Sequence, residues 1–216
     1  MHSYSIDNNS RKSVILGIVL ISVIINMFLY TPFEELLLFL SKKYACIQCV
    51  LDVLNRWGVG INFLTVLALF TIIYLCYCKF IWKWKFVQKI HSVPNLSGKW
   101  KGTLITSFLD ENGKKKEMDV TLKIKQDWNK ISIRSSFITS ESCSKTASLY
   151  SDSNEGIVLT FTYNNAASGN VDWKSKMHTG CNILTLLEEN DILEGYYFTN
   201  RGVNGTQGSI KVKKIK

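Results

Sequence analysis

The sequence has few of the residues that build metal centres or catalytic machinery. Its only three histidines, His2, His91 and His178, are too scattered along 216 residues to indicate a metal site. No GxSxG, HExxH, P-loop or GxGxxG motif is present. Serine and aspartate are plentiful, but they lie mostly in segments where turn chemistry explains them. We therefore predict that the chain is not an enzyme and needs no metal or organic cofactor.

Proline and charge are also scarce. Two prolines and a charged fraction of 20% argue against a disordered or collagen-like chain. Residues 1–94 carry 9 basic and 4 acidic residues, whereas residues 95–216 carry 17 and 13, together with 10 of the 13 glycines. This division argues against one soluble domain and predicts a membrane domain over 1–94 followed by a soluble domain over 95–216.

Two long runs contain no charge. The first, 14–30, has 17 residues and as a helix spans roughly 26 Å, close to the hydrocarbon thickness of a bilayer. The second, 60–78, has 19 residues and is followed by lysines alternating with aromatics over 79–85, as at a membrane interface. We predict two transmembrane helices. A cleaved signal peptide is disfavoured, because the first run is long for one and no small-residue cleavage site follows it.

Basic residues close to the runs predict the orientation. They precede the first run and follow the second, at Arg11, Lys12, Lys79, Lys83, Lys85 and Lys89. By the positive-inside rule both termini are cytoplasmic and the connector, 31–59, faces outward. The apolar stretches of the connector either lie on the membrane surface or lengthen the helices.

Polar residues inside the runs mark candidate contact faces. Ser22 and Asn26 lie one helical turn apart in the first run, and Asn62 and Thr65 lie near the start of the second. A polar side chain in lipid seeks a polar partner, so these faces are candidates for pairing between protomers.

Cys46 and Cys49 have the CxxC spacing of a metal or redox pair. No second cysteine pair or histidine cluster lies near them, which argues against zinc. A disulfide remains open if the connector is periplasmic. We favour the interpretation of two thiols on one amphipathic turn.

The sequence of the soluble part predicts short strands separated by turns. Pro94 disfavours helix at Val93, and the composition changes directly after it. Eight runs follow, at 99–109, 116–126, 131–138, 143–150, 157–163, 178–187, 192–199 and 209–215. Eight strands in about 120 residues is the size of a small closed antiparallel barrel. Gly98-Lys99-Trp100 resembles the Gly-x-Trp signature that opens lipocalin-type barrels, so we expect Trp100 to close the barrel bottom.

The strand at 192–199 carries the candidate ligand site. Its alternation places Tyr197 and Thr199 inside the barrel, with Arg201 at the rim. Such a set can stack a base and hold a phosphate. Trp173, with Lys174 and Lys176, forms a second candidate lip, whereas the 114–116 lysine run is interpreted as a solvated hairpin. A packed tyrosine and a solvated arginine remain the alternative for each single residue.

Two membrane spans, a basic-aromatic segment and a small barrel resemble the two-transmembrane β-barrel effectors of CBASS, the bacterial anti-phage systems that signal through cyclic oligonucleotides. The most similar stretches are Leu96–Gly102 (LSGKWKG) and Leu193–Tyr197 (LEGYY). The resemblance implies a cyclic dinucleotide as the activating ligand, self-association, and disruption of the bacterial inner membrane that kills the infected cell. It implies no DNA or RNA partner.

Other functions fit the same architecture. The main alternative is a membrane-tethered barrel that carries a lipid or another apolar molecule, and it predicts binding that is insensitive to salt. A structural module with a solid core binds no small molecule. A membrane enzyme needs an acid–base pair, for which the sequence offers no candidate.

Overall fold

The structure is a computed structural model. It describes residues 1–6, 8–58, 60–109, 113–138, 140–152, 156–167, 178–187, 191–200 and 205–215. The chain forms two compact units, Asn8–Trp82 and a second that joins Met1–Asp7 to Lys83–Lys216. The first residues of the chain therefore belong with the β-rich part, although by composition they stand with the apolar part.

The first unit is helical. It contains α1 (Asn8–Lys43), α2 (Ala45–Arg56) and α3 (Ile61–Lys79), and a short 3₁₀ turn, Ile81–Lys83, follows them. The 36 residues of α1 extend about 54 Å, more than the hydrocarbon thickness of a bilayer. The connector thus lengthens the first helix, which continues through Pro32 to Lys43. Membrane helices tolerate such a proline.

Two of these helices have the character of membrane spans. By length and composition, α1 and the stretch Thr65–Lys83, which includes most of α3, can each cross a bilayer. Large apolar side chains such as Leu16, Leu20 and Phe28 are exposed along α1. In contrast α2 is apolar on one side only, and none of its residues is buried. This pattern is typical of a helix at an interface rather than of a span.

The second unit is a barrel preceded by α4 (Lys85–His91). Its strands are β1 (His2–Ser3), β2 (Ser5–Ile6), β3 (Gly98–Leu109), β4 (Lys115–Gln126), β5 (Lys130–Ser136), β6 (Ser140–Asp152), β7 (Gly156–Ala167), β8 (His178–Leu187), β9 (Ile192–Thr199) and β10 (Gln207–Ile215). Strands β3 to β10 pair antiparallel with their neighbours, and β10 returns to β3. The predicted eight-stranded antiparallel barrel is confirmed.

One end of the barrel, the closed end, is filled by apolar side chains. Leu96, Trp100 and Trp128 are each at most 1% exposed, and Trp100 Nε1 donates to the carbonyl of Leu96 over 3.0 Å. The His91 ring meets Trp128 edge-on with centroids 4.7 Å apart. Burying each such large side chain contributes roughly 1.5–3 kcal/mol. The closed end is therefore a main source of barrel stability.

Candidate ligand-binding site

The opposite end of the barrel, the open end, contains a cavity of about 420 Å³. Inward-facing residues from β3 to β9 supply most of its wall. The described lining consists of Leu104, Thr106, Phe108, Leu109, Lys116, Met118, Phe137, Ser140, Tyr163, Asn165, His178, Tyr197, Thr199 and Thr206. The lining combines aromatic rings, hydroxyls, an amide and an imidazole, a composition suited to a polar ligand with flat groups.

The inward side chains change in chemistry along the barrel axis. On β7, Leu159 and Phe161 lie toward the closed end, and Tyr163 and Asn165 follow toward the open end. The same order from apolar to polar holds for Trp100, Leu104 and Thr106 on β3, Leu184, Asn182 and His178 on β8, and Leu193, Tyr197 and Thr199 on β9. These strands thus form an apolar core at one end of the barrel and a polar site at the other.

Two tyrosines of the cavity each lie over a glycine on the neighbouring strand. Tyr163 pairs with Gly180, where an added Cβ would overlap the phenol ring. Tyr197 pairs with Gly208, where an added Cβ would stand 2.8 Å from the ring carbon Cε1. These glycines leave space that fixes where each ring lies, so the cavity has two positioned aromatic faces.

Asn165 gives the cavity a buried amide that is only partly satisfied. The residue is 8% exposed, and its Nδ2 lies 3.4 Å from Nε2 of His178. Its Oδ1 is buried and finds no hydrogen-bond partner in the described part of the chain. A buried acceptor left unpaired costs about 1–3 kcal/mol. A ligand that donates an N–H or O–H to this oxygen would recover that free energy.

The wall between β9 and β10 is closed by two threonines. Their Oγ1 atoms, on Thr199 and Thr206, are 2.8 Å apart, and the backbone N–H of Thr206 donates to Thr199 Oγ1 over 3.0 Å. Lys116 is the single Lys, Arg, Asp or Glu among the described lining residues. It is part of the lysine run interpreted from sequence as a solvated hairpin, and it is both exposed and at the edge of the cavity.

The structure places the predicted site residues as follows. Tyr197, 6% exposed, and Thr199 both line the cavity. Arg201 and Trp173 lie outside the described residues. Sequence analysis missed Tyr163, Asn165 and His178, because it singled out one aromatic strand. Aligning the inward positions of β7, β8 and β9 would have found them, since these strands become polar toward the same end.

Two polar side chains from different membrane runs hydrogen-bond to each other within one chain. Thr65 Oγ1 donates to Asn26 Oδ1 over 2.5 Å, and Ser22 Oγ donates to the carbonyl of Ile18 over 2.7 Å. Ser22, Asn26 and Thr65 are all buried. Asn62 falls in the first turn of α3, and its side chain lies outside the described part. Pairing between protomers through these residues stays a prediction.

The predicted CxxC pair carries two free thiols in the structure. Cys46 and Cys49 are exposed free thiols on α2. Among the described residues, no group of three His, Cys, Asp or Glu is arranged to hold a metal ion.

The fold and the cavity together define a class of protein. In this class a barrel with a ligand cavity is joined to apolar helices that are long enough to enter a membrane. Comparison with known proteins identifies the family. Residues 91–214, more than half of the chain, match the family described as "Cap15, cyclic dinucleotide receptor domain". The chain belongs to this family, and its resemblance to CBASS effectors is confirmed.

Two relatives are named CD-NTase-associated protein 15. The chain is 32% identical to the protein of Staphylococcus schleiferi over 148 residues, which cover 68% of this chain and 75% of the relative. It is 29% identical to that of Yersinia aleksiciae over 144 residues, which cover 67% of this chain and 66% of the relative.

Proposed function

We propose that this protein is a membrane effector of CBASS signalling whose barrel binds a cyclic dinucleotide in the open-end cavity. The observation that carries the proposal is the cavity wall, in which two tyrosines fixed over glycines accompany a buried amide and hydroxyls. Membership of a family described as a cyclic dinucleotide receptor supports the same ligand class.

The chemistry of the ligand matches this wall. A cyclic dinucleotide presents two flat bases, and stacking on an aromatic side chain contributes about 1–3 kcal/mol per base. We assign the two stacking faces to Tyr163 and Tyr197. The Oδ1 of Asn165 accepts from a base edge, and Lys116 offers its ammonium to a phosphate. Arg201 and Trp173 complete the rim in this proposal.

The compact units support a two-span topology. Residues 1–6 and the barrel belong to one unit, so they lie on the same side of any membrane that the chain crosses. The helices between them must then cross an even number of times, and α1 and α3 supply two crossings. Together with the positive-inside rule, this argument supports the proposal that both termini and the barrel are cytoplasmic at the bacterial inner membrane.

The proposed outcome of binding is association of protomers and damage to the inner membrane. A ligand can favour the assembled state only if it binds that state more tightly than the single chain. If the Asn26 and Thr65 faces take part, their hydrogen bond must change from one within a chain to one between chains.

Binding of cyclic dinucleotides to the full chain in detergent tests the proposal. A panel covering the base combinations is measured by thermal shift and by titration, since preferential binding to the native state raises the midpoint. Tyr197→Ala should weaken binding by about tenfold or more, because a stacking face is lost. Tyr196→Ala is the matched control, because Tyr196 is 70% exposed on the outer face of the same strand. Arg201→Ala should reduce the salt dependence of binding.

Two results would contradict the proposal. One is the absence of any stabilising nucleotide with a folded chain. The other is an equal loss of binding in Tyr196→Ala and Tyr197→Ala. Binding of an apolar lipid with no dependence on salt would favour the tethered carrier instead.

A further inference from the structure

The first six residues, the N-terminal strap, fill a gap in the barrel between β5 and β6. These two strands pair directly at only three positions near the open end, Arg134–Cys143, Ser135–Ser142 and Ser136–Glu141. Toward the closed end the strap replaces that pairing. It runs antiparallel to β5 with His2 opposite Ile131, and parallel to β6 with Ser5 opposite Ser148.

The strap is firmly embedded. Tyr4 is 4% exposed and Ile6 is 5% exposed. His2 Nε2 lies 2.7 Å from Ser144 Oγ, and that oxygen also accepts the backbone N–H of Ile133 over 2.9 Å. Ser144 thus joins the strap to both strands that border the gap. A segment held in this way is part of the barrel wall rather than a loose terminus.

One buried side chain, Gln126, joins the strap to the segment that enters the barrel from α4. Its Nε2 donates to Tyr4 Oη over 3.1 Å and to the carbonyl of Pro94 over 3.2 Å. Its Oε1 accepts the N–H of Leu96 over 2.8 Å. The strap leads into α1 and Pro94 follows α3 and α4 in the chain. A single amide therefore contacts both connections from the barrel to the helical unit.

The same two strands border the ligand cavity. Phe137 directly follows the paired part of β5, Ser140 begins β6, and both line the cavity. The backbone N–H of Phe137 donates to the carbonyl of Ser140 over 2.9 Å. The cavity at the open end and the strap at the closed end therefore border the same pair of strands.

We propose that the strap and Gln126 couple the cavity to the membrane helices. Ligand binding alters the separation of β5 and β6, and the strap and Pro94 pass this change to α1 and α3 together. The proposal rests on the proposed function for its stimulus. It adds the claim that the Tyr4 hydroxyl, which accepts from Gln126 and donates to the carbonyl of Asp127 over 3.3 Å, holds the strap in place for the response and is not needed for ligand binding. Coupling through contiguous contacts of this kind is a free energy that a single variant can remove.

The test uses the full chain in vesicles of phosphatidylethanolamine and phosphatidylglycerol that hold a self-quenching dye. Tyr4→Phe removes one hydroxyl and keeps the buried ring. Its affinity for the cyclic dinucleotides of the panel, measured on the single chain in detergent, should equal that of the wild type, while nucleotide-triggered dye release from the vesicles falls about tenfold. Tyr150→Phe is the matched control, since Tyr150 is exposed on β6, and it should leave both quantities unchanged.

A disulfide provides the rescue. Ser5→Cys with Ser148→Cys joins strap and β6 at a paired position. Oxidation should cross-link the two positions within one chain and restore dye release to the Tyr4→Phe variant, and a reductant should abolish the restored release.

The outcomes separate this proposal from the proposed function. Parallel loss of affinity and release in Tyr4→Phe, or unchanged release, overturns the coupling. A cross-link of the introduced cysteines between two chains, rather than within one chain, would contradict the position of the strap in its own barrel. If no nucleotide binds to the wild type, the proposed function is wrong and the coupling is wrong with it. The cross-link still tests the position of the strap in that case.

Discussion

The two ends of the barrel use the same strands for opposite purposes. At the closed end, Trp100 and Trp128 are almost fully buried, and the Trp100 indole N–H is satisfied by a backbone carbonyl. At the open end, Tyr163 and Tyr197 border a cavity, and Asn165 Oδ1 has no hydrogen-bond partner among the described residues. The closed end is filled by large buried rings, whereas the open end keeps a cavity and a buried acceptor that a ligand can use.

This difference teaches that stability and recognition are separable in a small barrel. A core needs side chains whose polar atoms are absent or paired. A binding site needs polar atoms that stay unpaired until the ligand arrives, and it tolerates their cost only if stability comes from elsewhere. Variants at the two ends should therefore affect different measurements.

The largest effect on stability is expected from Trp100→Ala at the closed end. Removing a fully buried indole creates a cavity and should lower the free energy of unfolding by about 3–5 kcal/mol. Urea unfolding of the full chain in detergent measures this. Tyr163→Phe at the open end keeps the ring and should lower it by less than about 1.5 kcal/mol. Equal losses in the free energy of unfolding would contradict the claim that the closed end is the main source of stability.

An intermediate effect is expected from Gly180→Ala at the open end. The added Cβ overlaps the Tyr163 ring and would stand 2.8 Å from the carbonyl oxygen of Phe198, so both the ring and the neighbouring strand must shift at the cavity wall. Nucleotide affinity measured by titration should fall about tenfold, as for the loss of one stacking face. Gly17→Ala in α1 is the control, because nothing lies within 4 Å of the added Cβ, and it should leave affinity unchanged. Unaltered affinity in Gly180→Ala would remove Tyr163 from the site.

The smallest effect is expected from pH at the closed end. Burial lowers the pKa of His91 below its ordinary value of 6.5, and its Nδ1 accepts the N–H of Val93 over 3.3 Å. The imidazole is therefore neutral in the folded state, and its contribution to stability is present above pH 6.5 and is lost as the pH falls below it.

Thermal midpoints of the wild type and of His91→Gln, compared between about pH 7.5 and pH 5.5, measure this contribution. The wild type should lose more stability on acidification than the variant. The same loss in both would show that other groups cause it.

The sequence predicted the barrel strands well because one face of each is buried. The predicted 99–109 and 178–187 correspond to β3 and β8 within one residue at either end. Alternating side chains and turn residues carry that information locally. The same alternation puts Tyr197 and Thr199 among the residues that line the cavity.

Features that depend on distant parts of the chain were not predictable in this way. The strap has two strands of two residues each, too short for a pattern, and its partners lie on β5 and β6. The cavity depends on the register of several strands, which decides that Gly180 faces Tyr163. The continuation of α1 through Pro32 reflects an apolar run in which the proline is tolerated.

The strap also constrains the order in which the protein is made. His2 contacts Ser144, a residue 142 positions later in the chain. The N-terminal residues therefore leave the ribosome long before their partners exist, and both apolar helices emerge while the barrel is still incomplete. The barrel therefore closes onto residues that were synthesised before both apolar helices. Until β10 has been made, those helices are not yet joined to a complete barrel.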